Sequence, residues 1–302
     1  MLAPWVSAMR GFKAYLQLEK NLSEHSVNAY MRDVRKLALW CSSENKKPEQ
    51  VVLDDVTAMI TRFMDLELGK RTQSRWVSGV RAFFEYTQME RITPGNPVEL
   101  LQTPRLDRTL PAVLSIAQID AMLAAIDRSK PLGQRDRAML EVMYSSGLRV
   151  SELVGLQISR LHLEEDFIRV VGKGNKERLV PIGTSAKKQL RIYLDEVRVH
   201  QAPIAEHSDT VFLNYRGGGM SRVSVFNLVK RLAGEVGIAQ NVSPHTFRHS
   251  FATHLVDAGA DLRAVQEMLG HASITTTEIY THLDRSYLRS EILSHHPRNR
   301  GN

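Results

Sequence analysis

The chain has 302 residues, 43% of them hydrophobic and 24% charged. That composition is ordinary for a globular protein and long enough for two domains, and it excludes disordered, collagen-like and fibrous classes. Lysine and arginine exceed aspartate and glutamate by 7, and the single cysteine, Cys41, excludes an intrachain disulfide and any cysteine-rich zinc module.

No stretch approaches the ~18 apolar residues of a membrane span, and no apolar signal core follows the N-terminus. The expectation is a cytoplasmic protein without membrane insertion, whose basic excess serves nucleic acid. That excess is +3 over residues 1–105 and +4 over 106–302, so both halves are suited to one polyanion.

Helical periodicity dominates the first hundred residues. Ser23 is placed to cap a helix whose apolar stripe is Val27, Tyr30, Val34, Leu37 and Cys41. A second helix is predicted over 72–89 from Val77, Val80, Phe84 and Thr87, with Arg71, Arg75 and Arg81 at its start and on its other faces. Two more are expected near 5–19 and 54–68, which makes a compact bundle.

After Thr93-Pro94-Gly95-Asn96-Pro97 the period is lost. The predicted organisation is an N-terminal domain over 1–102, a polar, proline-bearing linker over 103–108, and a second domain over 109–302. Ser115 should cap a helix there, and others are expected over 135–144 and 150–156. The β-branched runs 167–171 and 178–182 flank a hairpin tip at 172–177. Further helices are predicted over 221–234, 244–259 and 262–269 and from about 275 onward. The fold class is therefore mainly α with a small β-sheet.

Four short patterns carry chemistry. Ser243-Pro244 starts a helix and sets His245 and Arg248 three apart in its first turn, where free N–H groups favour an anion. In Gly147-Leu148-Arg149-Val150-Ser151-Glu152 the glutamate is placed to orient Arg149. Lys173 lies between two glycines at the hairpin tip, with room for close approach to a ligand. Leu269-Gly270-His271 ends a helix, and Tyr280 follows nine residues later. His245 and His249 are also spaced as zinc ligands could be, but Arg248 between them would repel a cation, and no metal is expected.

Together and in this order, Arg149, Lys173, His245, Arg248, His271 and Tyr280 resemble the catalytic set of the tyrosine recombinase (phage integrase) family. The runs 147–153, 172–178, 249–254, 269–271, 279–282 and 295–298 are similar to its bacterial Xer subgroup, nearer the XerD branch than the XerC branch. The resemblance spans nearly the whole chain. It implies a SAM-like N-terminal bundle and a catalytic domain that clamp DNA as a C shape. It also implies site-specific recombination through a 3′-phosphotyrosyl intermediate and a Holliday junction, in resolving chromosome dimers at cell division.

In that scheme Tyr280 is the nucleophile and Lys173 the general acid. Arg149, Arg248 and His271 hold the phosphate, His245 serves as acid/base and Glu152 supports. Arg71, Arg75 and Arg81 are candidate DNA contacts. No cofactor is expected. The implied partners are double-stranded DNA at two recombination sites, a tetrameric synaptic complex with a paralogous Xer-type recombinase, and a septal DNA translocase. A short helix over 286–292 is expected to dock on the neighbouring subunit. A non-catalytic DNA-binding module would need the charge and the helices but not all six polar positions, and a relaxing topoisomerase would share the chemistry without exchanging strands.

Overall fold

The computed structural model describes residues 1–99, 101, 112–172, 176–270 and 282–299. The chain divides into two compact units, Met1–Thr109 and Leu110–Asn302. The linker expected over 103–108 lies outside the described residues.

The first unit is built from α1 (Ala3–Leu18), α2 (Glu24–Ser43), α3 (Leu53–Asp65) and α4 (Lys70–Met89). Ser23 caps α2 by accepting the Ser26 N–H. The expected stripe turns inward, with Val27, Val34, Leu37 and Cys41 buried. Helix α4 starts two residues earlier than its periodicity suggested and buries Trp76, Val77, Val80, Phe83 and Phe84. These meet Trp5 and Phe12 of α1 and Phe63 of α3. Phe12 packs edge-on to Phe83 at 5.4 Å between ring centres, and Phe63 edge-on to Trp76 at 4.9 Å. Such rings add to the burial that holds short helices together.

The second unit contains α5 (Ile116–Ala124), α6 (Gly133–Ser146), α7 (Val150–Val154), β1 (Leu161–His162), β2 (Phe167–Val171), β3 (Glu177–Pro181), α8 (Thr184–Glu196), α9 (Arg222–Glu235), α10 (Pro244–Asp257), α11 (Leu262–Leu269) and α12 (His282–His295). The strands form one antiparallel sheet in the order β1-β2-β3, with Ile168 opposite Val180 and Val170 opposite Arg178. Helix α6 is the buried axis of the unit, every residue from Ala138 to Ser146 being enclosed. It packs against α8 and α10.

Helix α8 has no counterpart in the sequence reading. Its inward stripe is only Ala186, Leu190 and Tyr193, amid lysine and glutamine. The 286–292 segment is part of the longer α12, which packs on its own unit with Leu288 and Ile292 buried. Arg289 donates to Asp166 at 2.8 Å. Beyond α12, buried His296 lies on the rings of Tyr144 and Phe251, and Asn299 accepts the Thr184 N–H at 2.8 Å.

Candidate active site

The centre of the site begins where α6 stops. Gly147 takes a left-handed conformation (φ +56°), and a Cβ there would fall 2.4 Å from the Phe251 ring, so only glycine both turns and fits. The turn delivers Arg149 to the start of α7. Glu152, one turn on, accepts the Arg149 backbone N–H at 2.8 Å and its Nη1 at 2.9 Å. This is the predicted pairing, but it is not a surface ion pair, because the Glu152 side chain is only 2% exposed.

Helix α10 supplies Arg248. Its start is fixed by Pro244 in the first turn and by Ser243, whose N–H donates to Thr246 Oγ1 at 3.0 Å. Arg248 is buried and donates to the carbonyls of Gly147 at 2.7 Å and Leu269 at 2.5 Å. Arg149 Nη2 reaches the neighbouring Gly270 carbonyl at 3.2 Å. The two guanidinium groups, from different elements, are thus held beside the same helix end, that of α11. His245 is exposed one turn before Arg248. Lys173, His271 and Tyr280 lie outside the described residues.

Sequence reasoning missed Arg178. Its Nη1 and Nη2 donate to the two oxygens of Glu152 at 2.7 and 3.0 Å, and its Nε donates to Met268 O at 3.0 Å. A signal was present: strand alternation sets Arg178 on the same buried face as Val180, where a charge needs a partner.

The electrostatics follow from this grouping. Burial pushes the Glu152 carboxyl up. The hydrogen bonds and charge of Arg178, with those of Arg149, outweigh it and hold the carboxyl below its ordinary value. Burial lowers the Arg248 guanidinium to about 10, and repulsion from Arg149 adds to this against the pull of Glu152. It stays charged at neutral pH. Three guanidinium groups around one carboxylate leave a local excess of positive charge, which suits an anion of phosphate size. Among the described residues no three His, Cys, Asp or Glu side chains stand close enough to hold a metal ion.

Residues 112–286 match the phage integrase family, and residues 9–91 match the phage integrase N-terminal SAM-like domain. The chain is a tyrosine recombinase of the phage integrase family. Such an enzyme cleaves and rejoins DNA by a tyrosine mechanism. The recombinase is 43% identical to the tyrosine recombinase XerD of Chlorobaculum tepidum over 98% of both chains. It is 39% identical to the XerD of Listeria innocua over 95% of this chain and 97% of that one.

In fold it is similar to the XerH recombinase bound to palindromic difH substrate (TM-score 0.68, 22% identity, 94% of this chain and 84% of that one). It is also similar to the Tn1549 transposon integrase with circular intermediate DNA (TM-score 0.69, 20% identity, 92% and 97%).

The three arginines predicted for DNA in the N-terminal unit of the recombinase differ in their surroundings. Arg71 is exposed at the start of α4. Arg75 pairs with the buried carboxylate of Asp33, and Arg81 donates to the carbonyl of Leu101 at 2.6 Å. Among the described residues no helix is long and apolar enough to cross a membrane.

Proposed function

We propose that Tyr280 attacks the scissile phosphodiester and carries the 3′ end of the cut strand. The phenol oxygen bonds to phosphorus as the bond to the 5′-oxygen breaks. The leaving oxygen takes a proton from Lys173, and the phenol proton passes to His245. Arg149 and Arg248, with His271, meet the charge that develops on the non-bridging oxygens, so their hydrogen bonds strengthen on the way to the transition state.

The phosphotyrosyl link conserves the energy of the broken bond, so resealing onto a second strand needs neither nucleotide nor metal. The observation that carries this reading is the convergence of Arg149 and Arg248, held by Glu152 and by the carbonyls at the end of α11.

The substrate is double-stranded DNA at two recombination sites, exchanged in a tetramer with a paralogous Xer-type recombinase and triggered by a septal translocase. The physiological role is chromosome dimer resolution in the cytoplasm, at the nucleoid. Its support is the similarity to XerD proteins over nearly their full length. The N-terminal unit contributes to DNA binding through Arg71, Arg75 and Arg81.

The test is a nicked suicide duplex carrying a dimer-resolution site, incubated in EDTA. The wild-type chain should form a covalent adduct on a denaturing gel. Tyr280→Phe should form none while binding the duplex normally. An adduct of wild-type size from that variant would falsify the assignment of the nucleophile.

A further inference from the structure

The three guanidinium groups around Glu152 do not share it equally. Arg178 takes both carboxylate oxygens, and Arg149 supplies two further donors, one from its side chain and one from its backbone. Arg248 stops 4.0 Å away. A carboxylate has about four lone-pair sites, so these four donors already saturate it. Remove Arg178 and two sites open at a buried anion whose neighbouring cations are Arg149 and Arg248. A buried carboxylate does not stay half-satisfied when a guanidinium stands within reach.

We infer that Arg178 is a positioning residue for strand cleavage: by occupying Glu152 it keeps that carboxylate from capturing Arg248 and the outer edge of Arg149, and so leaves both for the phosphate. The inference rests on the proposed role of Arg149 and Arg248 as phosphate ligands.

A second observation gives Arg178 wider reach. Its Nε holds the Met268 carbonyl, and Gly270, in the left-handed conformation (φ +64°), lies so near that a Cβ there would be 3.1 Å from Arg178 Cδ and Nε. One buried side chain therefore ties β3, α7 and the end of α11 together. In the chain these segments follow Lys173, begin directly after Arg149 and precede His271. A lysine has charge but no planar fork and could not make all three bonds in this geometry.

A purely structural ion pair would hold the fold without governing which cation Glu152 binds. A double-mutant cycle separates the two roles. Single-turnover adduct formation on the nicked duplex, duplex affinity by gel shift and thermal melting are measured for the wild type, Arg178→Met, Glu152→Gln and the double variant. Arg178→Met should slow adduct formation about 10²-fold, as misplacement of a reacting group by ~1 Å does, with affinity held within about twofold.

Adding Glu152→Gln should restore about tenfold of that loss, because the neutral amide still accepts from Arg149 but no longer competes for Arg248. Arg178→Lys, which keeps the buried charge, should be intermediate and should also be accelerated by Glu152→Gln. That comparison carries the test if Arg178→Met does not fold. Arg178 variants that cleave at the wild-type rate, or a double variant no faster than its Arg178 parent, would overturn the inference. A wild-type chain that forms no adduct would overturn instead the function on which it rests.

Discussion

The two units bury charge in opposite ways. In the N-terminal unit the described interior is aromatic and aliphatic, and Asp33 is its buried charge. The C-terminal unit encloses Arg135, Glu141, Glu152, Asp166, Arg178, Arg198 and Arg248. Most of these are neutralised on the spot or tied to loops. Glu141 is matched by Arg137 and Arg298, Asp166 by Lys187 and Arg289, and Arg198 donates to the carbonyls of Ser208 and Thr210. The Glu152 group goes further: among the described residues three cations gather on one anion, against two at Glu141 and two at Asp166. Buried charge alone therefore does not mark the chemistry. Buried charge left over does, because desolvated positive charge is costly unless an anion arrives to use it.

The contrast can be broken or sharpened by mutation. The largest effect is expected from Arg248→Ala, which should slow adduct formation by ~10²–10³-fold in single-turnover measurements. A rate near the wild type would mean that the excess charge is structural. In the aromatic unit, Trp76→Ala should cost about 3–5 kcal/mol in urea denaturation while leaving the cleavage rate of the folded fraction unchanged.

Acid provides a third lever. Burial pushes His296 down to about 3, so it is buried neutral, and burial also lowers the half-buried His254. Stability from His296 is complete above pH ~6.5 and is lost as pH falls toward ~3, by up to about 5 kcal/mol. Replacing it by phenylalanine should flatten the stability–pH curve of the C-terminal unit over that window, and an unchanged slope would show that other groups set it. The smallest effect belongs to the exposed pair Arg231–Glu235, where Arg231→Ala should shift stability by less than ~0.5 kcal/mol.

Legibility from sequence followed the same division. Helices α2 and α4 were readable because continuous apolar stripes face one core, and Ser23 and Ser115 were readable as caps because capping is local. The start of α10 was readable from Ser243 and Pro244, and the pairing of Arg149 with Glu152 from their spacing.

Helix α8 was not readable, since three apolar positions among lysines and glutamines carry too little period. Nor was Arg178, whose partners Glu152 and Met268 are 26 and 90 residues away. The pairing of Arg75 with Asp33 spans 42 residues and was equally invisible, although both helices were foreseen. The 286–292 segment showed its helical character but not its surroundings. With Leu288 and Ile292 in the core of its own unit, deleting residues from 286 onward should unfold that unit as well as impair any assembly.

The closing contacts of that unit bear on how the chain comes into being. Arg298 bonds Asp120 at 2.8 Å across 178 residues, and it brings a second cation to Glu141 across 157. Asn299 secures the first turn of α8 across 115. As the ribosome delivers the chain from its N-terminus, the aromatic unit has all its partners early. The catalytic unit does not. Until residues 296–299 emerge, buried Glu141 of its central helix has Arg137 but not Arg298, and the rings of Tyr144 and Phe251 lack the imidazole that packs on them. Nascent chains halted before residue 296 should therefore expose a soft, protease-sensitive second unit behind a finished first one.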